Sequence, residues 1–243
     1  MSFYKFALTL PFYLIILCNT SIAEDNFNCF KVLKDQTVLA KIQKSYEKIK
    51  TITANFKQNS YLLGLDQTQT SIGRLKFKKP GLMNWEYQTP EKQIFNSDNQ
   101  YFYWIQPNLE QVTISDFSKT FNSSLPVSFL LGIGNIEDSF TSEELCENSA
   151  KNLIVKLKSK NKEQDFEKLS LLIDPNNHSP LGVKIIDIAG NKTEIIFEDT
   201  KYNLDISSDS FKSLIPNEYD IIDRRKNDLS IPDDSNNLKE EDI

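Results

Sequence analysis

The amino-acid pattern points to a mainly β (α+β) fold: an antiparallel sheet of about ten or eleven strands curled around an interior, with short helices at its mouth. Three features carry this expectation. Runs of strand formers separated by turn residues fill most of the chain from Thr53 to Glu198. Helical periodicity is confined to short segments, too few to cover a sheet of that size. Late strands also carry apolar residues on both faces, with Val183 and Ile185 on one and Ile186 and Ile188 on the other, more than a fully solvated outer face would show.

The first residues, 1–23, read as a secretory signal. Lys5 supplies the positive start, Phe6 opens an apolar run that ends at Leu17, and Ser21, Ile22 and Ala23 resemble a small-residue cleavage site. As a helix that run covers roughly 18 Å, against about 30 Å of bilayer hydrocarbon, so a cleaved leader is expected rather than an anchor. Cys18 follows the bulky Leu17, where a lipid-modified start would carry a small residue before the cysteine. The mature domain is therefore expected over 24–223.

Val38, Leu39, Ile42, Tyr46 and Ile49 then recur at three- and four-residue spacing, an amphipathic helix with Asp35 placed as its cap. Strands are expected at 54–63, 71–78, 83–88, 93–97, 100–105 and 110–113, divided by Gly64, Pro80 with Gly81, Pro90, Asp98 with Asn99, and Pro107 with Asn108. Ser124 and Pro126 suit a helix start before Val127, Phe129, Leu130 and Leu131, which Gly132 and Gly134 should end. A short helical piece around 136–140 precedes strands at 153–158, 167–173, 182–188 and 193–198, the last two joined by a turn at 187–191. Residues 224–243 are almost wholly polar, charged or proline-bearing and read as a flexible acidic tail.

The net charge of -6, without a dense basic stripe, sets nucleic acid aside as a partner. Removing the leader leaves two cysteines, Cys29 and Cys146, in a compartment where paired thiols become disulfides; two distant cysteines and one histidine make no metal-ligand set. That histidine, His178, lies between Asp174 and Pro180 in a turn, and no phosphate loop, nucleophile elbow or metal spacing accompanies it. Glu143 with Glu144, or Asp98, could in principle serve a paired-carboxylate site, although solvated acids explain them more simply. Neither a catalytic residue nor a cofactor is expected.

The segment from Gly73 to Trp85, which includes Arg74, Phe77, Lys79, Pro80, Gly81, Leu82, Met83 and Asn84, resembles the most recognisable stretch of the LolA family. Ala54, Asn55, Phe56, Lys57 and Gln58 before it, and Tyr103, Trp104, Pro107, Glu110 and Gln111 after it, follow in the family's order. So do Asp187, Ala189, Gly190, Asn191 and Thr193, then Phe211, Pro216, Tyr219 and Asp220. The resemblance implies an incomplete antiparallel β-barrel with short helices as a lid over an apolar cavity. The protein would be a monomeric periplasmic carrier, accepting the acyl chains of lipoproteins from an inner-membrane lipoprotein-releasing ABC transporter and passing them to an outer-membrane lipoprotein receptor. It places Leu75, Phe77, Met83, Trp85, Phe102, Trp104, Phe129, Leu130 and Ile133 at the cavity or lid. Lys79 stands where the family commonly has an arginine that latches the lid, and a lysine lacks that planar fork. Two other half-barrel readings remain, an outer-membrane lipoprotein receptor or an envelope-stress lipid sensor; an all-β hydrolase is the third.

Overall fold

The computed structural model describes residues 25–120, 135–161, 166–213 and 215–225. The described residues form one sheet of thirteen strands. In chain order these are β1 (Lys31–Leu33), β2 (Thr51–Leu62), β3 (Gln67–Lys78), β4 (Leu82–Thr89), β5 (Gln93–Asp98), β6 (Tyr101–Gln106), β7 (Gln111–Asp116), β8 (Phe140–Glu147), β9 (Leu153–Ser159), β10 (Phe166–Ile173), β11 (Pro180–Asp187), β12 (Lys192–Tyr202) and β13 (Asp220–Asp223). Among the described residues three α-helices accompany them, α1 (Val38–Glu47), α2 (Phe117–Thr120) and α3 (Ile136–Ser139), with single 3-10 turns at Leu63–Leu65, Pro107–Leu109 and Ser208–Phe211.

The spatial order is β1-β8-β9-β10-β11-β12-β2-β3-β4-β5-β6-β7-β13, an open sheet with β1 and β13 at its edges. All pairs are antiparallel except β13 with β7. The expected strands are present, most extended by a few residues, and β1, β8 and β13 raise the count above ten or eleven. Ile188 falls outside β11 and is exposed, because the turn at 187–191 begins one residue earlier than the apolar run suggests. Asp35 does not cap α1. Its carboxylate accepts from the Thr37 backbone N–H at 2.8 Å and hydroxyl at 2.6 Å, so Thr37 occupies the capping position. Lys41 closes on it at 2.7 Å and, together with those bonds, holds it well below the usual carboxylate range.

Register assigns every residue to a face. The inner face, covered by α1, carries Ala54 and Phe56 from β2, Leu75 and Phe77 from β3, and Met83 and Trp85 from β4. Across the sheet, Val155, Leu171, Val183 and Ile195 continue the same layer. Gly73 lets Phe56 lie against β3, since a Cβ there would stand 2.6 Å from the ring's Cζ.

Segments at either end of the described residues cover parts of the outer face. Phe27 packs with Cys146, Ile154 and Leu172 behind β8–β10, where Asn148 donates to the Asn26 carbonyl at 2.9 Å. Ile215 and Tyr219 cover Ile105, Val112 and Ile114 behind β6–β7. Asn96, almost fully buried, ties that C-terminal stretch down through the Phe211 carbonyl at 2.6 Å and the Ser213 hydroxyl at 2.8 Å. Arg224 and Arg225 are also held, Arg224 through its N–H to the Ile114 carbonyl and Arg225 by a forked pair with Asp223. Residues 226–243 lie outside the described residues.

Candidate functional site

Antiparallel alternation places large apolar side chains along the inner face, and α1 decides which of them are sealed. Leu75, Phe77 and Met83 are each 2% exposed and Trp85 6%, in one cluster with Val38, Leu39, Ile42 and Tyr46 of the helix. Farther along the same face, on β4–β6, Tyr87, Phe95, Phe102 and Trp104 are only half-buried. Their rings form a continuous series: Phe56 stands 5.0 Å from Trp85 and from Tyr87, Tyr87 is 5.8 Å from Phe95, and Phe95 is 6.0 Å from both Phe102 and Trp104. Phe197 of β12 joins from the other side, 6.4 Å from Trp85.

A cleft of about 440 Å³ opens beside this series, lined by Gln58, Gln69, Ser71, Tyr87, Pro90, Glu91, Gln93 and Phe95. The Tyr87 hydroxyl donates to Gln58 Oε1 at 2.8 Å, and burial pushes the phenol up to about 12 against the opposing pull of Trp85 and Gln58. The Trp104 indole donates to Gln93 Oε1 at 3.1 Å. The Trp85 indole nitrogen is buried without a hydrogen-bond partner among the described residues.

Lys79 lies at the β3–β4 turn with its ammonium against the end of α1. Its Nζ donates to the Tyr46 carbonyl at 2.6 Å and sits 3.6 Å from the centre of the Tyr46 ring. The carbonyl belongs to the last turn of the helix, where a cation is favoured by the macrodipole as well as by the hydrogen bond. Burial lowers this lysine to about 8, with Glu47 opposing the shift.

Cys29 and Cys146 are joined as a disulfide, their Cα atoms 5.6 Å apart across 117 residues of sequence. The nearby Glu144 pairs with Lys156 at 2.6 Å, and both sulfurs are spent in the bond, so this group of potential ligands is structural. Asp98 accepts from the Tyr103 hydroxyl and from the backbone of Gln100 and Tyr101, organising the β5–β6 turn. His178 sits half-buried at positive φ in the turn whose Asn177 carbonyl accepts from the Ser45 hydroxyl.

Six of the residues singled out from sequence therefore share the inner face: Leu75, Phe77, Met83 and Trp85 in its sealed part, Phe102 and Trp104 in its open part. Phe129, Leu130 and Ile133 lie outside the described residues. Phe56, Tyr87, Phe95 and Phe197 belong to the same ring series but were not singled out. Period-two spacing from Trp85 and cross-strand register would have found Tyr87 and Phe95.

The family model described as "Outer membrane lipoprotein carrier protein LolA" matches residues 47–213. An outer-membrane lipoprotein carrier protein of Pseudomonas syringae pv. syringae (strain B728a) is 30% identical over 198 residues, covering 81% of this chain and 93% of that protein. The protein of that name from Hahella chejuensis (strain KCTC 2396) is 31% identical over 175 residues, covering 72% and 82% respectively. Among solved structures, an uncharacterized conserved protein from Thermus thermophilus superposes with a TM-score of 0.51 at 13% identity, covering 78% of this chain and 98% of that one. That last likeness concerns the fold alone.

Proposed function

We propose, because this chain belongs to the LolA family of outer-membrane lipoprotein carrier proteins, that it carries lipoproteins across the periplasm with their acyl chains held on the inner face of the sheet. The observation that carries this reading is the ring series from Phe56 to Trp104, sealed at one end by α1 and half-covered at the other. Burying one methylene is worth about 0.8 kcal/mol, so a chain of roughly sixteen carbons costs about 12 kcal/mol to leave in water. A carrier that matches most of that burial and releases its load needs an adaptable apolar surface rather than a rigid slot, and Met83 beside the rings supplies a pliable one. The action is binding rather than catalysis.

In this reading residues 1–23 direct export and are removed, 24–223 form the carrier domain, and 224–243 form an acidic tail. The domain acts as a monomer between an inner-membrane lipoprotein-releasing ABC transporter and an outer-membrane lipoprotein receptor. The sealed residues Leu75, Phe77, Met83 and Trp85 become chamber wall when α1 shifts, while Phe102 and Trp104 meet the hydrocarbon first. Phe129, Leu130 and Ile133 are assigned to the lid. Lys79 is the latch: one charge-assisted hydrogen bond from the β3–β4 turn to the last turn of α1 holds the helix on the face.

The test is native mass spectrometry with lipid extraction on protein purified from the periplasm after co-expression with a tagged lipoprotein. A one-to-one complex that is lost when the cargo lacks acyl chains supports the reading. Folded protein recovered without complex or lipid, with export machinery working, would reject it.

A further inference from the structure

We infer that the cleft formed by Gln58, Gln69, Ser71, Tyr87, Gln93 and Phe95 is a polar subsite for the ester and amide carbonyls that join acyl chains to the glyceryl-cysteine of the cargo. The inference rests on the carrier reading and adds which part of the ligand goes where. It starts from an anomaly in the inner face: β2, β3 and β5 keep their alternation but change chemistry. Ala54 and Phe56 give way to Gln58, Leu75 and Gly73 to Ser71 and Gln69, and Phe95 to Gln93. Side-chain amides and a hydroxyl thus converge where the apolar layer ends.

The chemistry of this lining selects a neutral acceptor. Among the described residues no lysine or arginine lines the cleft, while Glu91 does, an arrangement that repels phosphate and free carboxylate. Amide N–H groups are available: the Gln93 oxygen is occupied by the Trp104 indole, so that side chain offers its NH2 group to the cleft. Gln58 has its oxygen occupied by the Tyr87 hydroxyl and one amide N–H given to the Ser60 hydroxyl at 3.0 Å, which leaves its second N–H for the cleft. One step deeper on β4, the buried Trp85 N–H makes no well-formed hydrogen bond among the described residues, facing the Tyr87 oxygen only loosely, an arrangement that a ligand acceptor would improve. An acyl carbonyl is uncharged, accepts without donating, and sits at the junction of a hydrocarbon chain and a polar linker. The cleft likewise joins the ring series to solvent.

The probes are a dipalmitoyl-glyceryl-cysteine peptide and its dialkyl ether analogue, which keeps the chains and lacks the ester carbonyls. Both are titrated into protein purified from the periplasm. The ester form should bind about 3- to 10-fold more tightly, the worth of one or two net hydrogen bonds. Gln58→Leu should bring that ratio toward one while affinity for the ether analogue stays, and Trp85→Phe, which also alters the apolar wall, should lower the ratio whatever its effect on the ether analogue. Gln58 is half-exposed, so its variant keeps the core intact. Equal binding of both lipids by the unaltered protein, or a ratio unchanged in both variants, overturns the subsite and leaves the carrier reading standing. Failure to bind either lipid overturns both.

Discussion

The inner face beneath α1 and the inner face of β4–β6 are built from the same alternation of large apolar residues, yet they reach different states. Beneath the helix, Leu75, Phe77 and Met83 are 2% exposed and packed from both sides. On β4–β6, Tyr87, Phe95, Phe102 and Trp104 are half-buried, packed mainly by each other and by the strand beneath. Among the described residues, Val38, Leu39, Ile42 and Tyr46 of α1 join the cluster that buries the first half, while Tyr87, Phe95 and Phe102 pack only at its margin. A strand pattern therefore specifies a face, whereas the partner of that face decides whether it is core or binding surface.

The largest effect expected from this contrast is on stability. Phe56→Ala, which empties one of the largest fully buried side chains, should cost about 4 kcal/mol, whereas Phe95→Ala on the open half should cost about 1 kcal/mol and weaken acyl binding instead. Denaturant unfolding of both variants, paired with lipid titration, checks this; equal losses of stability would break the contrast. Opening the disulfide with Cys29→Ser and Cys146→Ser comes next, because it releases a closed loop of more than a hundred residues. A cost of about 3 kcal/mol is expected, with acyl affinity little changed, since the bond lies on the outer face.

Lys79 ties the end of α1 to the β3–β4 turn beside the sealed half, so replacing it sharpens the contrast kinetically. Lys79→Met should lower stability by about 1 kcal/mol or less, because the ammonium is partly solvated, and should speed acyl uptake. An unchanged uptake rate would remove the latch role. The smallest effect is with pH. The folded lysine titrates near 8, below its ordinary value of 10.5, so between these values the unfolded chain binds more protons and stability rises slightly with pH. Over the same window the latch loses its charge. Uptake should accelerate above about pH 8 without a fall in unfolding midpoint, and Lys79→Met should show no such step.

Much of the sheet was legible because its strands are local runs bounded by turn chemistry, as at Asp98–Asn99 and Pro107–Asn108. β8 escaped because Thr141, Ser142, Glu143 and Glu144 break the apolar alternation, and a register shift falls between Ser142 and Glu144. β1 and β13 are short edge strands whose pairing with β8 and β7 is set by distant chain. The capping turn at Asp35 was misplaced for a local reason, since both Asp35 and Thr37 can close that turn and the structure uses each for a different bond. Of the site, the identity of the face could be read from Trp85 and Trp104, which resemble the family's pattern. Its division could not, because α1 selects the sealed half through contacts spanning tens of residues.

Both tryptophans of the chain, Trp85 and Trp104, lie on the inner face, one in each half, so their fluorescence reports directly on whether acyl chains enter there. The decisive measurement is quenching by a lipopeptide with brominated acyl chains, compared with the same lipopeptide unbrominated, in Trp85→Phe and Trp104→Phe proteins. Strong quenching of Trp104, and of Trp85 once loading is complete, is the predicted result. Saturated binding with both tryptophans unquenched would place the hydrocarbon elsewhere and contradict the account.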